Sequence, residues 1–422
     1  MGKPRIAVVG SGVAGLTAAY VLQGAAEVTL YEAQGRLGGH AHTHELADAG
    51  GRTSNVDSGF IVYNEATYPH LTRLFGELGV DTQPTEMSMS VRCDGCGLEY
   101  AGARGLRGLF PSARNAIRGR FLRLLAEVPR FHRQARSMLA DPTQSDSTVT
   151  IEQFLTAGRF SRYFRSHFVT PLVSAVWSCP PEDADRYPAR YLFAFLHNHG
   201  MLSVTGSPAW RTVTGGSARY VATLGKQLTA VHTSTPVRMV TRRTDGVDVR
   251  DDADQPATFD AAVIATHPDH ALALLAGPTA NESATLGAFR YSTNPTVLHT
   301  ETGVLPHSTR AQAAWNYLLP DCTATTAAVH VSYDMSRLQR LDSDTRYLVT
   351  LNEGGLVPPH AILERMVYEH PVYTPESVAA QADLPRLNDG RVAFAGAYHG
   401  WGFHEDGCRS GVAAARSLGG VW

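Results

Sequence analysis

Gly10, Gly12 and Gly15 stand in GxGxxG spacing directly after the apolar run Ile6-Ala7-Val8-Val9, and Glu32 follows 22 residues after Gly10. Such a set is suited to gripping a dinucleotide. The first glycine permits a tight turn, the second lets backbone approach a pyrophosphate, and the third lets the next helix pack on the strand. Val13 and Ala14 complete the turn, at a helix N-terminus whose open N–H groups and positive dipole end favour phosphate. Glu32 stands where a carboxylate takes a ribose hydroxyl. Candidate proton-transfer groups lie far along the chain, at His197 and His199, because histidine titrates near neutral pH. The competing reading for each is a helix cap or a partner for a buried carbonyl.

The elements that must hold the glycines are readable around them. Ile6–Val9 is short and wholly apolar, as in a strand buried on both faces. Leu16–Leu22 reads as an alanine-rich helix and Val28–Tyr31 as a second strand. A further glycine turn, Arg36-Leu37-Gly38-Gly39-His40, follows Glu32 at once, and a plain NAD-binding unit needs none there. Glu32, Ala33, Arg36, Gly38 and Gly39 match E-A-x-x-R-x-G-G, and here the chain resembles the FAD-binding superfamily of flavin amine oxidases, phytoene desaturases and protoporphyrinogen oxidases. The resemblance implies non-covalent FAD, with the second turn carrying backbone toward the isoalloxazine. Gly59, lacking a side chain, and Phe60 beside it are expected against the ring.

Composition sets the bounds. The 422 residues allow two or three domains, and a net charge of -2 gives no pull toward nucleic acid. Only Lys3 and Lys226 are lysines among 37 basic residues. Five scattered cysteines argue against a disulfide framework and for a reducing compartment. Cys93 and Cys96 form C-x-x-C with no second pair nearby in the chain, so a turn at Asp94-Gly95 is expected and no metal site. No run approaches the ~20 apolar residues of a membrane span. The expected location is the cytoplasm, peripheral to a membrane if the basic segment below engages one.

Along the chain, 55–63 reads as a loop entering a strand, and 67–79 as a helix closed by Gly79. Short strands are expected near Ser88–Val91 and Leu98–Tyr100. Residues 111–139 read as a basic amphipathic helix, with seven arginines against Glu127 and an apolar face of Ile117, Phe121, Leu124, Leu125, Val128 and Phe131. Pro129 is expected to kink or divide it. This segment fits either an anionic membrane surface or a solvated face over a core helix. A polar loop at 141–148 and helices at 151–155, 160–176 and 191–196 follow. Trp210–Ser217 reads as a glycine turn into the helix 218–228, and the strands at 231–233, 237–241 and 246–249 as one antiparallel layer. Residues 259–266 form another buried strand, and 297–300, 327–333 and 346–351 suggest a sheet flooring a cavity. Arg391–Gly396 reads as a last strand, then a glycine-rich turn and a helix 412–418.

The fold expected is α/β: a Rossmann-like FAD-binding domain (1–80, 205–285, 385–422) interleaved with an α+β substrate domain (81–204, 286–384). In the resemblance, Val237 contacts the adenine side through backbone. Gly396, Phe403, Glu405, Asp406, Gly407 and Ser410 match the motif whose closing helix faces the flavin pyrimidine edge. The stretches VDSGFIVYNEATYP, SAVWSCPP, HNHG and GAYHGWGFHEDG resemble a narrower bacterial group encoded beside cyclopropane-fatty-acid synthase-like methyltransferases. That implies a small-molecule or lipid-like, fatty-acyl substrate and a methyltransferase partner.

Many amine oxidases of the superfamily place a lysine near flavin N5, and neither lysine here suits that role. Oxidation of C–C to C=C is therefore expected, with Trp177, Trp210 and Tyr291 lining an apolar cavity. A flavin isomerase, an amine oxidase and a non-catalytic lipid-holding partner remain alternatives.

Overall fold

The computed structural model describes residues 2–47, 51–144, 147–203, 207–322 and 330–422. Its organising layer forms because Arg5–Val9 is buried on both faces and so needs neighbours on both sides. Glu27–Tyr31 and Ala261–Ile264 flank it in parallel register, Ile6 opposite Val28 and Ala261. Ala230–His232 and Val392–Phe394 complete the two edges among the described residues. The strand at 230–232 thus joins the parallel sheet rather than the antiparallel layer expected of it. Residue 29 offers it an open edge, whereas the antiparallel layer closes with Val237–Arg242, Val247–Asp251 and Pro256–Phe259 alone.

The helix Val13–Leu22 is buried almost all round, because the closing helix His404–Ser417 lies across its other side. A Cβ at Gly411 would stand 2.3 Å from the Ala14 carbonyl oxygen, and one at Gly407 2.6 Å from Val13 Cγ1. These glycines, read from sequence as a loop before residue 412, are the contact face of a helix that begins eight residues earlier.

A second sheet runs Ile362–Val372, Arg290–His299, Leu348–Leu351, His330–Asp334, Trp315–Leu319, Met89–Cys93, Leu98–Ala101. The strand expected at 327–333 is seen from His330, its first three residues lying outside the described ones. The loop at 141–148 is described apart from 145 and 146, and the proposed boundary at 204/205 falls outside the described residues. Residues 55–63 begin inside a strand, Thr53–Asp57, and only then loop to Tyr63.

A helical cap covers this sheet. Gly119–Ala140 runs unbroken through Pro129, which is exposed on its outer side. Phe121, Leu124 and Phe131 face the core, and Glu127 is buried against Ser161 and Arg130. Ile117 departs from that apolar face. It ends a separate short helix, Ala113–Ile117, and is 84% exposed. No described helix is long and apolar enough to cross a membrane.

Candidate functional site

The first glycine turn is closed inward and open outward. A Cβ at Gly10 would lie 2.8 Å from the Ala265 carbonyl oxygen and one at Gly15 only 1.9 Å from that of Gly10, whereas one at Gly12 meets nothing within 4 Å. The helix starts at Gly12 with no side-chain cap and no acid in its first turn, so nothing competes for an incoming phosphate. Glu32 is fixed beside it. One oxygen accepts from Ser11 N–H (2.9 Å) and Ser11 Oγ–H (2.5 Å), the other from Gln34 N–H (2.8 Å). A carboxylate so held keeps acceptor sites for ribose hydroxyls.

The second turn packs on the first. Gly38 donates its N–H to the Ser11 carbonyl (3.0 Å), and Gly39, at φ +56°, comes so near that its Cβ would stand 3.1 Å from Gly12 Cα. Arg36 spans the loop, donating to Gly39 O (2.9 Å) and Ala41 O (3.4 Å), and burial draws its pKa down. Ala33 is exposed just past the second strand, and Val237 packs on the cluster that holds Tyr31. The open face at Gly12, the uncapped helix and the anchored carboxylate fit a dinucleotide.

Beyond the turns, the chain brings Gly59 and Phe60, both expected against the ring, beside His40 and the closing helix. Phe60 donates its N–H to His40 O (2.8 Å), and a Cβ at Gly59 would sit 2.0 Å from that same oxygen. Phe60 then stacks on His404 at the start of the closing helix, centroids 3.7 Å apart and planes 13° apart. Gly396 is tied to that helix by Ser410, whose hydroxyl receives the Gly396 N–H (2.9 Å) and bonds its carbonyl (3.0 Å). Glu405 and Asp406 serve neighbours. Glu405 accepts from His70 and the Leu71 amide, Asp406 from the Phe403 amide and Arg409. Burial raises the Asp406 pKa.

Sequence reasoning missed the residues around His40. Its ring lies 5.1 Å from Tyr368, 5.4 Å from His370 and 6.4 Å from His267. Burial pushes His40 and His267 down to about 4 and His370 to about 3, so all are neutral imidazoles at pH 7. The only signal for them in the chain was the His267-Pro268 step after a buried strand.

The two candidate bases part company. His199 is buried within aromatic rings, 4.2 Å from Phe195 and 6.0 Å from Trp210, with Trp401 and Phe403 each 6.3 Å away. Its Nδ1 lies 3.0 Å from the Phe195 carbonyl, which can only accept, so Nε2 is left as the acceptor, and burial lowers its pKa. His197, two residues earlier on the helix Ala189–Asn198, is exposed and outside this shell. Trp177 joins the shell, 4.8 Å from Phe195, and its Nε1–H donates to Trp401 O (2.9 Å). Tyr291 stands apart, stacked 4.1 Å over His267. It lines a cavity of about 270 Å³ with Tyr373, Val372, Asp183, Arg186 and Arg290.

Comparison with known proteins agrees with this fold. A putrescine oxidase structure bound to putrescine superposes with a TM-score of 0.70 at 16% identity, covering 99% of both chains. A CLA-producing fatty acid isomerase from P. acnes gives 0.70 at 15% over 98% of each, and cyclohexylamine oxidase from Brevibacterium oxydans IH-35A 0.69 at 17% over 99% of each. No curated protein matches the sequence. The model of the flavin containing amine oxidoreductase family matches residues 13–304, from the first helix through the small antiparallel layer and into the second sheet. With two glycine turns stacked for a dinucleotide and that match over more than half its length, the chain belongs to the flavin containing amine oxidoreductase family, as an FAD-dependent oxidoreductase.

Proposed function

We propose that this enzyme oxidises a C–C bond of an apolar, fatty-acyl-like substrate to C=C, with His199 taking the proton. The aromatic shell around His199 carries the reading. It offers apolar walls and a neutral base, and Glu405 and Asp406, which follow Phe403 in the chain, are committed to backbone amides, His70 and Arg409. Neither of these two carboxylates is left free for a substrate ammonium. Both lysines are exposed: Lys3 bonds the Gly24 carbonyl, and Lys226 sits in the last turn of Ala218–Gln227.

Bound FAD supplies the acceptor for a hydride. The protein's part is to hold the acyl chain, exclude water and move one proton. Trp177, Phe195 and Trp401 form a wall that excludes water. The Phe195 carbonyl fixes the His199 tautomer, so Nε2 receives the proton from the carbon next to the one that loses hydride. At the Tyr291 cavity, Arg186 and Arg290 are exposed and make no ion pair among the described residues. Two guanidiniums against Asp183 favour a carboxylate or phosphate head over an amine.

Anaerobic mixing with long-chain fatty acids, phospholipids and alkylamines of equal length tests this. Bleaching of the flavin by an acyl substrate, with a product lighter by two hydrogens, is expected. Bleaching by the amines alone overturns the reading, and a shifted double bond at unchanged mass replaces it with isomerisation.

A further inference from the structure

The Cys93-Asp94-Gly95-Cys96 turn does not stand alone. The fold brings His167 and Cys322 to it, so that three sulfurs and one imidazole nitrogen lie within 4.8 Å of one another. Cys93 Sγ is 3.8 Å from Cys322 Sγ, and Cys96 Sγ is 3.7 Å from His167 Nε2. A tetrahedral zinc with metal–sulfur bonds of about 2.3 Å and metal–nitrogen bonds of about 2.0 Å has sulfur–sulfur edges near ~3.8 Å and sulfur–nitrogen edges near ~3.6 Å. The two measured edges have those lengths.

We propose that Cys93, Cys96, His167 and Cys322 bind one structural zinc ion. Four protein ligands leave no open position for substrate or water, which makes the site structural rather than catalytic.

The surroundings are those of a built site. Gly97, at φ +65°, closes the loop by donating to Cys93 O (2.8 Å). His167 is fully buried, and its Nδ1 lies 2.8 Å from Ser166 Oγ and 3.2 Å from the Tyr163 carbonyl. A proton on Nδ1 directed there leaves Nε2 as the lone-pair donor facing the sulfurs, the arrangement that orients metal-bound histidines. His167 also occupies a π-helical turn, Arg165–Val169, inserted between two α-helical pieces. Such turns commonly mark functional positions. Three thiolates and a neutral imidazole around a divalent ion carry a net charge of −1. Arg118 answers it, its guanidinium 3.8 Å from Cys96 Sγ.

The site would bind three distant segments together. Cys93 pairs with Leu319 in parallel register, which places Cys322 just past the end of that strand. A Cβ at Gly95 would lie 2.7 Å from Asp321 Cα, so the turn and the strand end already press together. His167 adds the helical cap. Zinc here would fix the cap on the edge of the second sheet independently of FAD and of turnover.

The test is elemental analysis of the full-length protein purified under reducing conditions without added metal. One zinc per chain is expected, surviving gel filtration and released with three reactive thiols by a mercurial. Replacing zinc by cobalt should give intense d–d bands to the red of the flavin. His167→Ala and Cys322→Ser should each lower zinc content at least tenfold, while His167→Cys, which restores four donors, retains it even if FAD content changes. Zinc-free protein, stoichiometric iron, or a Cys93–Cys322 disulfide in peptide mass maps of freshly reduced protein would each overturn the assignment.

Discussion

Gly39 and Gly12 face each other across the two glycine turns, so near that a Cβ on Gly39 would stand 3.1 Å from Gly12 Cα. The contact couples the turn that receives the pyrophosphate to the turn that leads toward the ring. Gly39 also holds φ +56°, where a side chain costs roughly 1 kcal/mol before any clash is counted. Gly39→Ala should therefore separate the turns and reduce FAD content of purified protein at least tenfold, read from the ratio of flavin to protein absorbance. Gly2→Ala, at an exposed glycine with nothing within 4 Å, should leave that ratio unchanged.

His199 and His197 provide a paired test of the catalytic reading. His199→Gln keeps a polar group in the aromatic shell but removes the base, so flavin reduction by substrate should slow by about 10²- to 10⁴-fold. FAD content should be unaltered. His197 is exposed on the same helix, and His197→Gln should reduce flavin at the wild-type rate. Stopped-flow bleaching under anaerobic conditions distinguishes them, and equal rates for wild type and His199→Gln would remove the residue from the proton transfer.

These outcomes rest on parts of the molecule that differ in how readily they could be read from the chain. The dinucleotide cradle was legible because strand, turn, helix, strand and acid are consecutive, and each glycine's role is local. The histidine group was not, since His40, His267 and His370 meet only through pairing of strands far apart in sequence. The closing helix was placed too late because Gly407 and Gly411 weaken helix propensity. Their reason is tertiary, the close crossing of Val13–Leu22. Cys322 lies 226 residues after Cys96, too far for any spacing rule to join them.

Acid should destabilise the fold through its buried imidazoles. His40 and His267 titrate at about 4 and His370 at about 3 in the folded state, all below the value near 6.5 of an unfolded chain. The unfolded state then binds more protons, so their contribution is intact above about pH 6.5 and falls as pH drops toward 4. Each ring forfeits roughly 1–2 kcal/mol between pH 7 and pH 5. Asp57, raised to about 6 by burial, acts oppositely, since its extra proton favours the folded state as pH falls from 6 toward 4. Asp406, also raised by burial, acts with Asp57, but three rings outweigh the two carboxyls, so Tm should drop by several degrees between pH 7 and pH 5. His370→Asn should flatten that slope, and a Tm that rises on acidification would contradict the assignment of these rings as neutral.

The basic cap should meet anionic lipid. Leu106 and Ile117 are 75% and 84% exposed, and Leu122 is exposed in the first turn of Gly119–Ala140. Arg107, Arg114, Arg120 and Arg123 are exposed around them in the short helix Gly105–Leu109, in Ala113–Ile117 and in Gly119–Ala140. Apolar side chains that enter the interface, flanked by guanidiniums each worth about 1 kcal/mol near an anionic surface, give a reversible attachment rather than insertion. Phosphatidylglycerol vesicles should therefore sediment the protein at low salt, phosphatidylcholine vesicles should not, and 0.5 M salt should release it, ~0.5 M being well past the range of surface charge attraction. Ile117→Asp should weaken binding at least fivefold without changing Tm, because the side chain packs on nothing that holds the fold together. Equal sedimentation with both lipids, or an unchanged Ile117→Asp, would show that the arginines here do no more than keep the helix in water.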